Sequence, residues 1–73
     1  MSAKEMFEAL GYYEDTEHSS IYAIKVYRNK YRKTIYFDDG KTIDTTGNVI
    51  TLDLLKAIYQ QCKELGWLED VKD

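Results

Sequence analysis

The sequence predicts a two-layer α+β domain, in which both helices pack on one face of a small antiparallel sheet and the other face meets solvent. Apolar residues recur at helical spacing near both ends of the chain. The segment between them is rich in β-branched and aromatic residues, which is typical of strands. We therefore expect the order helix, three antiparallel strands, helix. Tyr12–Glu14 stays open between a loop and a fourth strand at the sheet edge.

The first helix is predicted from its capping residues and one apolar stripe. Ser2 suits the N-cap, and Glu5 three residues later completes a capping box. The apolar residues at positions i, i+3, i+4 and i+7 are Ala3, Met6, Phe7 and Leu10. Gly11 lies where a left-handed C-cap glycine is expected. Because a helix of about two turns is not stable alone in water, it must pack on another element.

Two strands, Ile21–Asn29 and Tyr31–Phe37, are predicted to form a hairpin. A two-residue turn at Asn29-Lys30 suits the positive φ of a type I′ turn at asparagine. On the face toward the helices, this register pairs Tyr22 with Phe37, Ile24 with Ile35 and Val26 with Lys33. On the solvent face it pairs Ala23 with Tyr36, Lys25 with Thr34 and Tyr27 with Arg32. Most apolar residues collect on the first face, which favours this register.

A second hairpin leads to the third strand, Lys41–Thr46. The residues Asp38-Asp39-Gly40 suit a three-residue loop with Gly40 in the left-handed position. This loop sets Ile35 opposite Ile43 on the face toward the helices. The turn Gly47-Asn48 follows the strand.

The second helix is predicted to begin after Thr51, which suits an N-cap, with Ile50 packing against Leu55 as a hydrophobic staple. Its core stripe is predicted at Leu55, Ile58, Cys62 and Leu65, flanked by Leu54 and Ala57. Gly66 suits the C-cap, and Trp67 is expected to pack back on the helix.

Length and composition predict one soluble domain in a reducing compartment. The 73 residues contain no proline, repeat or linker, so we expect a single domain over residues 1–73 that frays at 69–73. The single cysteine excludes an internal disulfide, which is usual for cytoplasmic proteins. No apolar run is long enough to span a membrane, and no signal-peptide pattern opens the chain. The predicted location is the cytoplasm.

No group of residues predicts catalysis or a bound cofactor. Cys62 and His18 are the only nucleophile–base pair, but Cys62 lies in a helical apolar stripe, which predicts a buried, inert thiol. One cysteine and one histidine cannot form a structural zinc site. Asp38 and Asp39 before Gly40 are typical of a hairpin turn, and the segment lacks the spaced ligands of a calcium loop. We expect a protein that is not an enzyme and that has no metal and no cofactor.

The strongest charge asymmetry lies in residues 21–36, which carry five basic residues and no acid. The predicted register gathers basic and tyrosine side chains on the solvent face of the sheet: Lys25, Tyr27, Arg32 and Tyr36. Tyrosine and arginine are frequent anchors of interfaces, so this surface favours a protein partner, with self-association as a special case. The alternative is single-stranded nucleic acid, since tyrosines stack on bases and basic groups neutralise phosphates. A third alternative is a plain solvated sheet.

Two segments resemble small proteins encoded in phages and prophages of Gram-positive bacteria. The chain resembles the beginning of such proteins over residues 3–12 (AKEMFEALGY) and their end over residues 55–68 (LKAIYQQCKELGWL). Those proteins also carry a few short strands between the two segments. The resemblance implies a mobile-element origin and a bacterial cytoplasm, and it assigns no site residue. We expect a non-enzymatic adaptor or modulator that binds a protein partner, with single-stranded nucleic-acid binding as the alternative.

Overall fold

The computed structural model describes residues 1–17, 23–47 and 49–69, which form two helices and a four-stranded antiparallel sheet. In chain order the elements are α1 (Ala3–Ala9), β1 (Tyr12–Glu14), β2 (Ala23–Asn29), β3 (Thr34–Asp38), β4 (Thr42–Thr46) and α2 (Leu52–Glu64). The sheet order is β1-β2-β3-β4. The predicted α+β fold is confirmed, and Tyr12–Glu14 is the fourth, edge strand. Predictions on His18, Ile21, Tyr22, Asn48 and residues 70–73 lie outside the described residues.

The first helix has the predicted caps. The Ser2 hydroxyl accepts the backbone N–H of Glu5 at 3.1 Å, and the Glu5 carboxylate accepts the backbone N–H of Ser2 at 2.9 Å. The two bonds form a capping box, which satisfies backbone donors at the start of the helix. Gly11 follows the helix with a φ of 87°, in the left-handed region that glycine favours. The chain can therefore turn at once from α1 into β1.

The second helix also begins and ends as predicted. The Thr51 hydroxyl accepts the backbone N–H of Leu54 at 3.1 Å. At the other end, Gly66 has a φ of 76°, and the N–H of Trp67 donates to the carbonyl of Cys62 at 3.0 Å. This bond belongs to a Schellman motif. The motif folds Trp67 back onto the hydrophobic core, where it packs partly buried.

A cluster of aromatic rings joins the helices to the sheet. Phe7 of α1 stacks on Tyr27 of β2, with ring centroids 4.0 Å apart, and meets Phe37 of β3 edge-on at 6.2 Å. Trp67 packs against Phe37 from the end of α2, at 6.1 Å. Residues of both helices and of β2 and β3 share this one core, so both helices lie on one face of the sheet, as predicted.

The predicted register of the first hairpin is wrong by three residues along most of its length. Asn29 is not a turn residue but closes a three-residue loop opposite Lys33, and its side-chain Oδ1 accepts the N–H groups of Tyr31 and Lys33 at 2.9 and 3.0 Å. Arg32 completes the loop with a φ of 63°. The observed pairs are Lys25–Phe37, Val26–Tyr36, Tyr27–Ile35 and Arg28–Thr34, with an irregularity between Ala23 and Lys25. Because the shift is odd, Tyr27 moves from the solvent face to the helix face.

The predicted register of the second hairpin is wrong by two residues. Its loop has Lys41, rather than Gly40, in the left-handed region, with a φ of 61°. The observed pairs therefore include Phe37–Ile43, Ile35–Thr45 and Asp38–Thr42. An even shift keeps every side chain on its face, so Ile43 still lies on the helix face as predicted, but opposite Phe37 instead of Ile35.

Candidate functional site

The predicted solvent-facing tyrosine of β2 is part of the core. Tyr27 is 1% exposed, and its hydroxyl donates a hydrogen bond of 2.6 Å to Oε1 of the buried Gln61. Burial raises the pKa of the Tyr27 hydroxyl, and the charge of Glu14 acts in the same direction. The prediction that Tyr27 lies on the solvent face is therefore wrong, because the odd register shift turned it inward.

The other three predicted surface residues lie in three different places. Lys25 pairs with Phe37 on the helix face, and its Nζ lies 3.0 Å from the Glu14 carboxylate. Arg32 lies in the loop at the tip of the first hairpin. Tyr36 alone lies on the open face of the sheet, where it is half-buried. The four predicted residues therefore do not form a common surface in the structure.

The helix α2 carries apolar side chains on two sides. Its buried side consists of Leu54, Ala57, Ile58, Gln61 and Cys62. Leu55, predicted to be in the core, is 52% exposed, whereas its neighbour Leu54 is 4% exposed. Leu52 and Tyr59 are 66% and 58% exposed, and with Leu55 they occupy positions i, i+3 and i+7 of one helix face. We call Leu52, Leu55 and Tyr59 the apolar ridge.

A groove runs between α1 and the apolar ridge. Its central cavity has a volume of about 480 Å³ and is lined by Met6 of α1 and, on α2, by Leu55, Lys56, Tyr59 and Gln60. A cavity of about 340 Å³ adjoins it, since the two share Met6 and Lys56. A third, of about 400 Å³, shares Tyr59 and continues past the end of α2, where Lys63, Leu68 and Glu69 line it and no described residue of α1 does. We call the three cavities together the α1–α2 groove.

Two lysines line the α1–α2 groove between two acidic residues that lie nearer its ends. Lys56 is the one charged side chain among the described residues that line the central cavity. Lys63 lines the third cavity together with Glu69, and Asp53 lines the second cavity. Neither Lys56 nor Lys63 makes an ion pair with any residue that the structure describes. Both ammonium groups are therefore available to a ligand.

One carboxylate links the two helices that form the groove. Oε2 of Glu64, in the last turn of α2, accepts the backbone N–H of Ala3 at 2.7 Å and the side-chain amide of Gln60 at 3.0 Å. The bond from Gln60 and then the bond from Ala3 lower the pKa of the Glu64 carboxyl below its ordinary value. The contact fixes the start of α1 against the end of α2, and so supports the shape of the groove.

Among the described residues, no cluster of side chains supports nucleophilic or metal-dependent chemistry. Cys62 is a buried free thiol, and burial raises the pKa of that thiol. His18, the only base that the sequence offers as its partner, lies outside the described residues. Across residues 1–17, 23–47 and 49–69, no three acidic, histidine or cysteine side chains come together as metal ligands.

The apolar ridge was missed because a polar residue lies inside the core. Gln61 takes a position in the buried stripe, where Tyr27 satisfies its side-chain oxygen. When only apolar residues are assigned to the buried stripe, Leu55 is wrongly placed in the core. A signal did exist in the sequence: with Leu52 and Tyr59 added, the apolar positions of α2 cover a wider arc than one buried stripe needs.

Comparisons of the chain with protein-family models, with curated proteins and with solved structures found no match in any of the three. In the part of the chain that the structure describes, neither helix has the length and apolar character required to cross a bilayer.

Proposed function

We propose that the protein is a non-enzymatic adaptor or modulator that binds a protein partner through the α1–α2 groove. The observation that carries the proposal is the apolar ridge. Three large side chains of one helix remain in solvent although the opposite side of that helix already supplies its buried stripe. Single exposed apolar residues are ordinary on protein surfaces, but a contiguous row beside a cavity is typical of an interaction site.

Tyr59 gives the ridge one side chain of the kind that often anchors an interface. A few large side chains usually dominate the affinity of an interface, and tyrosine is among the most frequent of them. Full burial of one leucine side chain contributes about 1.5–3 kcal/mol. Tyr59 and Leu55, one helical turn apart, could therefore supply most of the apolar contribution to binding.

The proposal is tested by site-specific photo-crosslinking in cells that naturally express the protein. A photoreactive phenylalanine derivative replaces Tyr59 in one variant and Tyr13 in the other. Tyr13 is a matched control, because it is 50% exposed and belongs to the edge strand β1, away from the groove. We expect a discrete protein adduct from position 59 and none from position 13.

The adduct must also depend on the ridge itself. Adding Leu55→Gln to the position-59 variant keeps a good helix former and removes one anchor. We expect this change to abolish the adduct while the circular dichroism spectrum and the melting temperature stay as before. Equal adducts from both positions, or an adduct that survives Leu55→Gln, would contradict the proposal.

Single-stranded nucleic-acid binding is a second candidate, favoured by the tip of the first hairpin. Tyr31 is 70% exposed there, and the Lys30 ammonium lies 5.2 Å from the centre of its ring. Arg32 and Lys33 complete a basic loop whose shape Asn29 fixes through its hydrogen bonds. An exposed aromatic ring among basic groups can stack on a base and contact phosphates.

Fluorescence anisotropy with labelled single-stranded DNA and RNA tests this second candidate. The hypothesis requires binding that weakens as salt rises and that is lost in Tyr31→Ala but retained in Tyr13→Ala. Absence of binding at low salt, where electrostatic attraction is strongest, removes the candidate.

The cytoplasmic location and the mobile-element origin belong to the proposal as well. The single cysteine is a free, buried thiol, which suits a reducing compartment. The mobile-element origin depends on the resemblance of the two terminal segments alone, and it stays a prediction.

A further inference from the structure

The geometry points to a specific kind of partner: one amphipathic helix that carries carboxylates beside its apolar face and binds in the α1–α2 groove. This inference rests on the proposed function, because it names what the same site binds. Two features of the groove support it, namely its length and the charges along it.

The length of the groove matches a short helix. Its lining on α2 extends from Asp53 to Lys63, which is about 15 Å at the rise of an α-helix. A partner helix of about ten residues covers that distance and places side chains at i, i+3 or i+4, and i+7 against the groove. The floor is apolar in the middle, where Met6 faces Leu55 and Tyr59.

Along α2, the two lysines of the groove lie between Asp53 and Glu69, so carboxylates are favoured in the middle of a partner and disfavoured at its ends. Lys56 lies beside the central cavity, and Lys63 lies about two turns further along α2. Neither ammonium is paired with a described side chain. A partner helix with glutamate or aspartate flanking its apolar anchors would meet both lysines, whereas a basic helix would be repelled in the middle of the groove. Such exposed charge pairs contribute more to specificity and to the association rate than to affinity.

A second copy of this chain fits the groove less well. About a dozen residues line the three cavities, whereas a stable interface between two folded proteins engages about 20–30 residues a side. Two antiparallel copies of α2 that place Leu55 against Tyr59 would also bring the two Lys56 ammonium groups beside each other. The size and the charges of the groove thus favour a single acidic helix over a dimer.

Titration of the isotope-labelled full-length chain with three stapled helical peptides tests the inference by nuclear magnetic resonance. The peptides share one apolar face with leucines at i, i+3 and i+7, and they carry glutamate, glutamine or lysine at the flanking positions. We expect the glutamate peptide to bind about threefold to tenfold more tightly than the glutamine peptide at low salt. Its binding should shift the signals of Met6, Leu55 and Tyr59.

Charge reversal supplies the matched control. The double variant Lys56→Glu/Lys63→Glu should come to prefer the lysine peptide. The variant Lys30→Glu/Lys33→Glu has the same change in net charge at the hairpin tip and should keep the preference for the glutamate peptide. Melting temperatures confirm that both variants are folded.

Several results would overturn the inference. They are equal affinity for the three peptides, a preference that survives the reversal at Lys56 and Lys63, shifts outside the groove, or no binding at all. Self-association in sedimentation that is lost in Tyr59→Gln would overturn it too, because the groove would then bind a second copy. A Tyr59 crosslink to a protein together with failure of all three peptides would leave the proposed function standing and remove only the acidic helix.

Discussion

The two sides of α2 differ in burial: one side packs in the core, and the other is largely in solvent. On the inner side, Ile58 and Leu54 pack in the core, and even the polar Gln61 is buried because Tyr27 donates a hydrogen bond to it. On the outer side, Leu55 and Tyr59 have more apolar surface than Gln61 and yet remain half in solvent. Polarity alone therefore does not decide which side of this helix is buried, because a polar side chain can be buried once it has a hydrogen-bond partner.

Under the proposed function, the two sides of this helix have different roles. The inner side stabilises the domain, and in a chain of this size every such contact matters because the net stability of small domains is low. The outer side is largely in solvent, and in the proposed function it binds the partner. The neighbouring residues Leu54 and Leu55 represent the two roles one position apart.

The largest effect is expected from a matched pair of leucine substitutions. Leu54→Ala should lower the free energy of unfolding by about 2–5 kcal/mol, because it leaves a cavity in the core. Leu55→Ala should lower it by about 1 kcal/mol or less, since half of the side chain is already in solvent. Urea unfolding followed by circular dichroism measures both. Equal losses for the two variants would mean that the outer side contributes to the fold.

A second, smaller effect concerns the polar contact of the inner side. Tyr27→Phe keeps the ring on Phe7 but leaves Oε1 of Gln61 buried without its donor, which should cost about 1–3 kcal/mol. In a domain of this size, each kcal/mol of lost stability lowers the melting temperature by about 4–8 °C. The melting temperature of the variant should therefore fall by at least several degrees. Adding Gln61→Leu removes the orphaned oxygen and should recover part of the loss. A Tyr27→Phe variant as stable as the original chain would show that the hydrogen bond has no net effect.

A third, still smaller effect is the dependence of stability on acid. Glu64 has a folded-state pKa below its ordinary value of 4.5, because Gln60 and Ala3 donate hydrogen bonds to the charged form. Its stabilisation is therefore present above pH 4.5 and is lost as the pH falls through the lower, folded-state pKa. Because the carboxylate is exposed, the effect amounts to a few degrees of melting temperature at most. Glu64→Gln should melt lower than the original chain at neutral pH, with the difference shrinking in acid.

A difference in melting temperature between the Glu64→Gln variant and the original chain that stays constant from neutral pH to pH 3 would contradict this role of the carboxylate. Glu69→Gln is the matched control, because among the described residues no hydrogen bond joins the Glu69 carboxylate to α1. We expect it to follow the original chain over the whole range.

The helices could be predicted from sequence because their signals are local. Ser2 with Glu5, and Thr51 before the second apolar stripe, bond to backbone groups within three residues. The strand register could not be predicted, because Asn29 suits two different turns. It can enter a two-residue turn, or it can accept two N–H groups and close a longer loop. The longer loop requires Arg32 in the left-handed region, and the burial of Tyr27 against Phe7 and Gln61 favours it.

The candidate site could not be predicted for a related reason. The predicted surface depended on the face of Tyr27, and an odd register shift moves every side chain of a strand to the other face. To find the apolar ridge, one must know which side of α2 is buried. A search for apolar residues alone misjudges that side, because the polar Gln61 belongs to it. Both errors involve the buried hydrogen bond between Tyr27 and Gln61, which are 34 residues apart in the sequence. Such long-range pairs leave no periodic pattern.

The most direct test of the central claim is the unfolding free energy of the double variant Leu55→Gln/Tyr59→Gln, measured by urea titration beside the original chain. If the outer side of α2 serves binding rather than folding, the two values should agree within about 1 kcal/mol, because glutamine preserves helix propensity and its methylenes replace part of the half-buried surface. A loss of about 2 kcal/mol or more, the size expected for a core substitution, would place the ridge in the fold and contradict the claim.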